Sequence, residues 1–316
     1  MSIDKVSGVN FSSIDKIDGV RNSEIDKLNG VIAAYALDNF SGAVAAYSLR
    51  QLSSTATKAV SVENSNGTIV DIGFDVNGRL DVAALTNHCG SNYGRVSKWW
   101  DQSGNGNHME QSAAASRPRI VDTSGNIVTT TDNSIKALDF YANSTARWLS
   151  DTFSSNNGDH FILSYVGEFR TVTAGQQIVS QWTSSQSTQT FAANVLGASS
   201  KLRLAARYST SSNHLGRVDT SATVAADTEY VVVGFMSASP YEGDIDVNGD
   251  TANTSTGFPS TGNLRTASAG ITIGRRHDNG AAQYQGYLAE VIIWSAGTLP
   301  DRNSIMSSTK KHYGIT

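Results

Sequence analysis

The sequence predicts an all-β protein: two packed antiparallel sheets, entered through a repetitive N-terminal arm and closed by a short C-terminal helix. Three observations predict it. Charged residues are only 16% of the 316, and Ser, Thr, Asn and Gly dominate the rest, as suits many short strands joined by polar turns. Apolar residues alternate with polar ones in run after run. Asn-Gly pairs at 66–67, 77–78 and 248–249 fall between such runs, where a two-residue turn needs positive φ.

Residues 1–34 form the predicted arm and 35–316 the body. The arm repeats one phrase at a spacing of 11: Ile3-Asp-Lys-Val6-Ser-Gly-Val9, Ile14-Asp-Lys-Ile17-Asp-Gly-Val20 and Ile25-Asp-Lys-Leu28-Asn-Gly-Val31. A continuous helix would carry a glycine in every copy, each costing roughly 1 kcal/mol. A short helical turn stopped by glycine, then a short extended piece, is the expectation. So small a unit cannot bury an apolar face alone. The nine apolar positions Ile3, Val6, Val9, Ile14, Ile17, Val20, Ile25, Leu28 and Val31 are therefore expected to pack on other copies of the chain, as a trimer for instance, or on another protein; folding back on the body is the alternative.

In the body, residues 43–50 and 59–63 read as strands and 81–87 as a helix capped by Asp81. Further strands are expected at 135–140, 161–169, 177–182, 202–207, 229–236, 243–247, 271–274 and 286–294, with a closing helix at 300–312.

The centre of the chain is Trp99-Trp100-Asp101-Gln102-Ser103-Gly104-Asn105-Gly106-Asn107-His108. If the strand runs through both tryptophans they point to opposite sides, one to the core and one outward. Trp100, Asp101, Asn105, Asn107 and His108 then form a candidate ligand site, a stacking surface with polar clamps for a sugar. The same residues would equally make a corner that bonds only to itself.

This segment, followed by Gln111 and Arg117-Pro-Arg-Ile120, resembles the "YDQSGNGNH…Q" segment of α-L-arabinofuranosidase catalytic domains, with residues 46–50 and 71–74 similar to the strands before it. The resemblance covers residues 45–125 and implies a concanavalin A-like jelly roll. Residues 286–294 and 311–315 are similar to the last strand and helix of laminin-G and concanavalin A-like lectin domains. The arm phrase resembles N-terminal repeats on structural proteins of tailed bacteriophages. Together these imply a virion protein of the tail-fibre or receptor-binding type whose body binds host-surface glycan and whose arm holds other virion proteins. A capsid-decoration or fibre-shaft protein with no ligand is the alternative, and a glycoside hydrolase the third reading.

Hydrolysis of a glycosidic bond needs two carboxyl groups flanking it. Asp101, Glu110, Glu168, Asp278 and Glu290 are available, but sequence cannot pair them. The net charge of −4 gives no basic footprint for nucleic acid. One cysteine, Cys89, excludes an internal disulfide, unlike secreted arabinofuranosidases. No signal peptide is visible and no apolar run approaches 18 residues, so assembly in a host cytoplasm without membrane insertion is expected. Asp244-Ile-Asp246-Val-Asn248-Gly249-Asp250 opens like a calcium loop, but Ser255 stands where the bidentate glutamate belongs, so strand-turn chemistry is expected. No motif calls for a metal or cofactor.

Overall fold

A computed structural model describes residues 35–316 apart from 132–134, 142–145, 154–157, 183–189, 210–213, 267–269, 277–281 and 296, and six two-residue strands within the first 34 residues. Those six strands form three ladders: Lys5–Val6 with Val9–Asn10, Lys16–Ile17 with Val20–Arg21, and Lys27–Leu28 with Val31–Ile32. Val6 faces Val9, Ile17 faces Val20 and Leu28 faces Val31, with two residues between each pair. Each copy is thus a hairpin, which corrects the expected helical turn. The physical reason is that Ser-Gly, Asp-Gly and Asn-Gly are dipeptides that favour two-residue hairpin turns. Ile3, Ile14 and Ile25 lie outside the described residues.

The body is an antiparallel β-sandwich. Its first sheet runs Tyr241–Val247, Glu229–Ala238, His160–Phe169, Gly286–Ser295, Ala43–Ser48. The second runs Ile69–Ile72, Val60–Glu63, Gly94–Trp99, Met109–Glu110, Leu149–Ser150, Thr272–Ile273, Gln176–Ser180, Phe191–Leu196, Lys201–Arg207, Leu215–Thr220, Asn253–Thr256. The short strands Arg119–Val121 and Leu138–Asp139 link the two sheets at one side.

The strict alternation of the first sheet lets it bury both faces. Phe161, Leu163 and Tyr165 enter the core between the sheets, while Ile162 and Val166 face the other way. There they meet Ile305 and Met306 of the closing helix, Arg302–Tyr313. That helix starts where the Asp301 carboxylate accepts the Ser304 N–H at 2.8 Å and stops at Gly314, φ 70°. Its last turn is tied to the sheet by a buried ion pair. Glu290 accepts from Arg50 Nε at 2.7 Å and from the Tyr313 hydroxyl at 3.0 Å. Asp81 caps the helix Val82–Cys89 as expected, its carboxylate accepting from the Ala84 N–H.

Candidate functional site

The segment after Trp100 turns back on the first sheet and bonds to its outermost described strand, Ala43–Ser48. Asp101 Oδ1 accepts the Ala46 N–H at 2.9 Å, fifty-five residues upstream. The Gln102 N–H donates to the Ala46 carbonyl at 2.8 Å, and its side-chain amide donates to Ser48 and Arg50 carbonyls while accepting the Leu52 N–H. Asn105 Nδ2 donates to the Ala43 carbonyl at 3.0 Å and Asn107 Nδ2 to the Val44 carbonyl at 2.8 Å. Gly104 and Gly106, at φ 89° and 79°, supply the turns that bring these amides round. Asp101 also accepts the N–H groups of Ser103 and Asn107, closing the loop on itself.

The structure therefore brings all five expected residues together, but gives Asp101, Asn105 and Asn107 main-chain partners. Their amides and carboxylate do the work of a missing neighbouring strand.

Trp99 and Trp100 do point to opposite sides. Trp99 is buried against Tyr47, ring centroids 5.8 Å apart. Trp100 is half-buried on the outward face, its indole N–H donating to Ser61 Oγ at 3.0 Å. Lys58 and Lys98 ammonium groups lie 4.3 and 4.5 Å from its ring centroid, and the His108 ring stands edge-on at 4.5 Å. His108 Nδ1 accepts the Asp101 N–H at 3.1 Å. Burial, then the nearby Lys98, hold His108 below the usual histidine value, so it is neutral at pH 7 with its proton on Nε2.

Trp100 stands at one end of a continuous row. On the outward face of the second sheet, Asp71, Ser61, Lys98 and Glu110 sit opposite one another on successive strands. The row continues through Ser150, Thr272, Ser180, Ala192, Ala205 and Arg217. Its middle is a run of small residues, of which Thr272, Ser180, Ala192 and Ala205 are buried, and two further half-buried tryptophans, Trp148 and Trp182, flank it. The Arg275 guanidinium lies 3.7 Å from the Trp148 ring centroid and that of Arg207 5.5 Å from the Trp182 centroid. Three of the five tryptophans thus border one face, while Trp99 and Trp294 are core. From the Lys98 strand to the Ala205 strand are six interstrand steps of about 4.8 Å, roughly 29 Å of sheet.

Sequence reasoning found Trp100 but missed Trp148, Trp182, Arg207 and Arg217. The usable signal was in the run Leu202-Arg203-Leu204-Ala205-Ala206-Arg207, where Arg203, Ala205 and Arg207 share the outward side.

The described carboxylates weighed for hydrolysis are each engaged within the protein. Asp101 serves the corner, and Glu110 pairs with Lys98 at 2.7 Å on the surface. Glu168 is buried and accepts from the Thr131 N–H at 2.7 Å, and Glu290 is committed to Arg50. Asp278 lies outside the described residues. In the calcium-like segment, Asp246 accepts the Gly249 N–H at 2.8 Å, Asn248 accepts the Val231 N–H at 2.7 Å and Asp244 pairs with Arg302 at 2.6 Å, all strand-turn and packing roles.

No protein-family model matches this chain, and no curated protein matches it in sequence. Among solved structures it is similar to a GH54 α-L-arabinofuranosidase soaked with a cyclic sulfate inhibitor, at a TM-score of 0.55 and 14% identity. It is also similar to an arabinofuranosidase complexed with arabinofuranosyl-α-1,2-xylobiose, at 0.52 and 15%. Each alignment covers 86% of this chain and 62% of the enzyme's, so this chain spans less than two thirds of their length. At this identity the likeness establishes a shared β-sandwich fold, and it extends well beyond residues 45–125.

Proposed function

We propose that the body is a carbohydrate-binding domain whose ligand lies along the outward face of the second sheet. The observation that carries this reading is the set of three half-buried tryptophans, Trp100, Trp148 and Trp182, along one side of the sheet. Indole faces stack on the apolar faces of sugar rings. The reading keeps Trp100 and His108 as ligand contacts and gives Asp101, Asn105 and Asn107 the task of holding that end in place.

The arm supports a finer reading: a bacteriophage virion protein, of the tail-fibre or receptor-binding type, that displays the domain toward a host surface. A hairpin of two-residue strands is not stable alone in water, so three in tandem call for neighbours, another virion protein or further copies of this chain. Light scattering that shows a monomer both with and without residues 1–34 would remove the self-association, and the trimer with it.

Binding of the chain to a broad glycan array, with a parallel assay for released sugar, tests the domain's role. Binding without release, weakened in both Trp100→Ala and Trp182→Ala, is the expected result. Release abolished by Asp278→Asn would move the protein to the glycosidase reading, which the fold likeness favours. Silence in both assays would leave a decoration or shaft protein with no ligand.

A further inference from the structure

Resting on that reading, the outward face holds a place for one sugar ring, one row along from Ser180 and Ala192. The strand Gln176–Ser180 carries a bulge between Gln177 and Val179. Ile178 and Val179 both enter the core, and Gln177 is left on the outward side, directly opposite Asn194. Opposed residues on one face of an antiparallel pair have β-carbons about 5 Å apart, so the two side-chain amides are neighbours. Gln177 and Asn194 line a cavity of about 250 Å³ together with Leu196, Ala198 and Ala282. Ala282 sits in the left-handed region at φ 55°, a strained place for a residue with a β-carbon, and its carbonyl accepts the Gln177 N–H at 2.8 Å. Next in the row is Arg203, whose Nε and Nη2 donate to the two oxygens of Asp219 at 2.6 and 2.7 Å.

Two adjacent glutamines have different tasks here. Gln176 is buried and bonded at both ends of its amide: Nε2 donates to the Thr171 carbonyl at 2.5 Å and Oε1 accepts the Gln285 N–H at 2.8 Å. Gln177 Oε1 is buried as well, yet no described residue donates to it. The Asn194 side chain likewise makes no hydrogen bond to a described residue. A buried amide oxygen without a donor costs folding free energy, and native structures seldom keep one that nothing satisfies. Each amide offers a donor and an acceptor side by side, which is what neighbouring hydroxyls on a sugar ring offer in return. Among the described lining residues none is ionisable, so a charge brought into the cavity would lie unpaired. Its volume falls below the roughly 300–1,000 Å³ of pockets for drug-sized ligands, which suits one ring rather than a chain. We propose that this cavity binds a single neutral sugar residue, with two of its hydroxyls held by the amides of Gln177 and Asn194.

The test follows the side-chain amide signals of the full chain by nuclear magnetic resonance. The probes are the methyl glycosides of glucose, galactose, mannose, xylose and arabinose, and the uronates of glucose and galactose. At least one neutral glycoside should shift the Gln177 and Asn194 amide signals, which are assigned by their loss in Gln177→Leu and Asn194→Ala. Gln177→Leu keeps the bulk and removes the unpartnered oxygen. It should weaken that glycoside about tenfold while the urea midpoint stays at or above wild type. Asn194→Ala should weaken the same glycoside, and a uronate should bind at least about tenfold more weakly than its neutral parent. Glycan-array binding that persists in full in both variants overturns the cavity as the site and leaves the carbohydrate reading intact. A lowered midpoint in Gln177→Leu with binding unchanged makes the amide structural and overturns the proposal too. A uronate bound as tightly as its parent overturns the neutral assignment. Failure of every saccharide to bind, on the array and in the titration, overturns the carbohydrate reading and this inference with it.

Discussion

The two ends of the outward face are both rich in charge and aromatic surface, yet they are built differently. At the Trp100 end each ammonium has its carboxylate: Lys58 meets Asp71 at 2.6 Å and Lys98 meets Glu110 at 2.7 Å. The corner beside it spends its polar side chains on main chain. At the Trp182 end Arg203 pairs with Asp219 at 2.6 Å, and the Arg207 guanidinium lies 5.5 Å from the Trp182 ring centroid. The lesson is that a polar, glycine-rich motif marks a place where the fold needs bonds.

The sharpest way to break this comparison is to remove bonds at the architectural end. Glu290→Ala would leave Arg50 buried without its carboxylate and should cost roughly 3–5 kcal/mol in urea unfolding. Burial alone would raise the Glu290 carboxyl, but Arg50 outweighs it and holds the group below the ordinary glutamate value. The unfolded chain then takes up a proton that the folded one excludes. Wild-type stability from this pair is full above the ordinary glutamate value and falls as pH drops through it, and Glu290→Ala should flatten that acid limb. Asp101→Ala removes the acceptor of three main-chain N–H groups and should cost about 3 kcal/mol, with a smaller loss of sugar affinity because it holds the Trp100 end in place. Trp182→Ala should do the reverse: about a tenfold loss of saccharide affinity, read by calorimetry, with the urea midpoint close to wild type. The smallest effect is expected for Lys98→Ala. Its exposed pair with Glu110 contributes less than about 1 kcal/mol, so a large loss of stability would mean the Trp100 end is more tightly built than its ion pairs imply.

Much of the sandwich was legible because its signals are local. Alternation placed Phe161 and Ile162 on opposite faces, and the two adjacent tryptophans had to part company. The hairpins at Asn66-Gly67 and within the arm follow from turn chemistry, although the arm's glycines also fit a helix stop, which is how the helical turn came to be expected. The outward face of the second sheet was not legible in the same way. Ser150 meets Thr272 and Thr272 meets Ser180 through pairings across more than a hundred or some ninety residues of chain, and no periodicity reports such register. Trp148 and Trp182 sit at strand ends without a motif around them. For residues 101–108 the sequence left two roles open, and hydrogen bonds to a strand some fifty-five residues upstream weigh toward the architectural one.

Those bonds also govern how molecules of this protein treat each other. A strand at the border of a sheet carries unpaired N–H and C=O groups that invite a strand from a neighbour, the usual beginning of aggregation. On Ala43–Ser48 the side chains of Asp101, Gln102, Asn105 and Asn107 occupy those groups. Being side chains, they offer no further strand in turn, so pairing stops there. Loosening the corner would reopen this border as a template for a neighbour's strand.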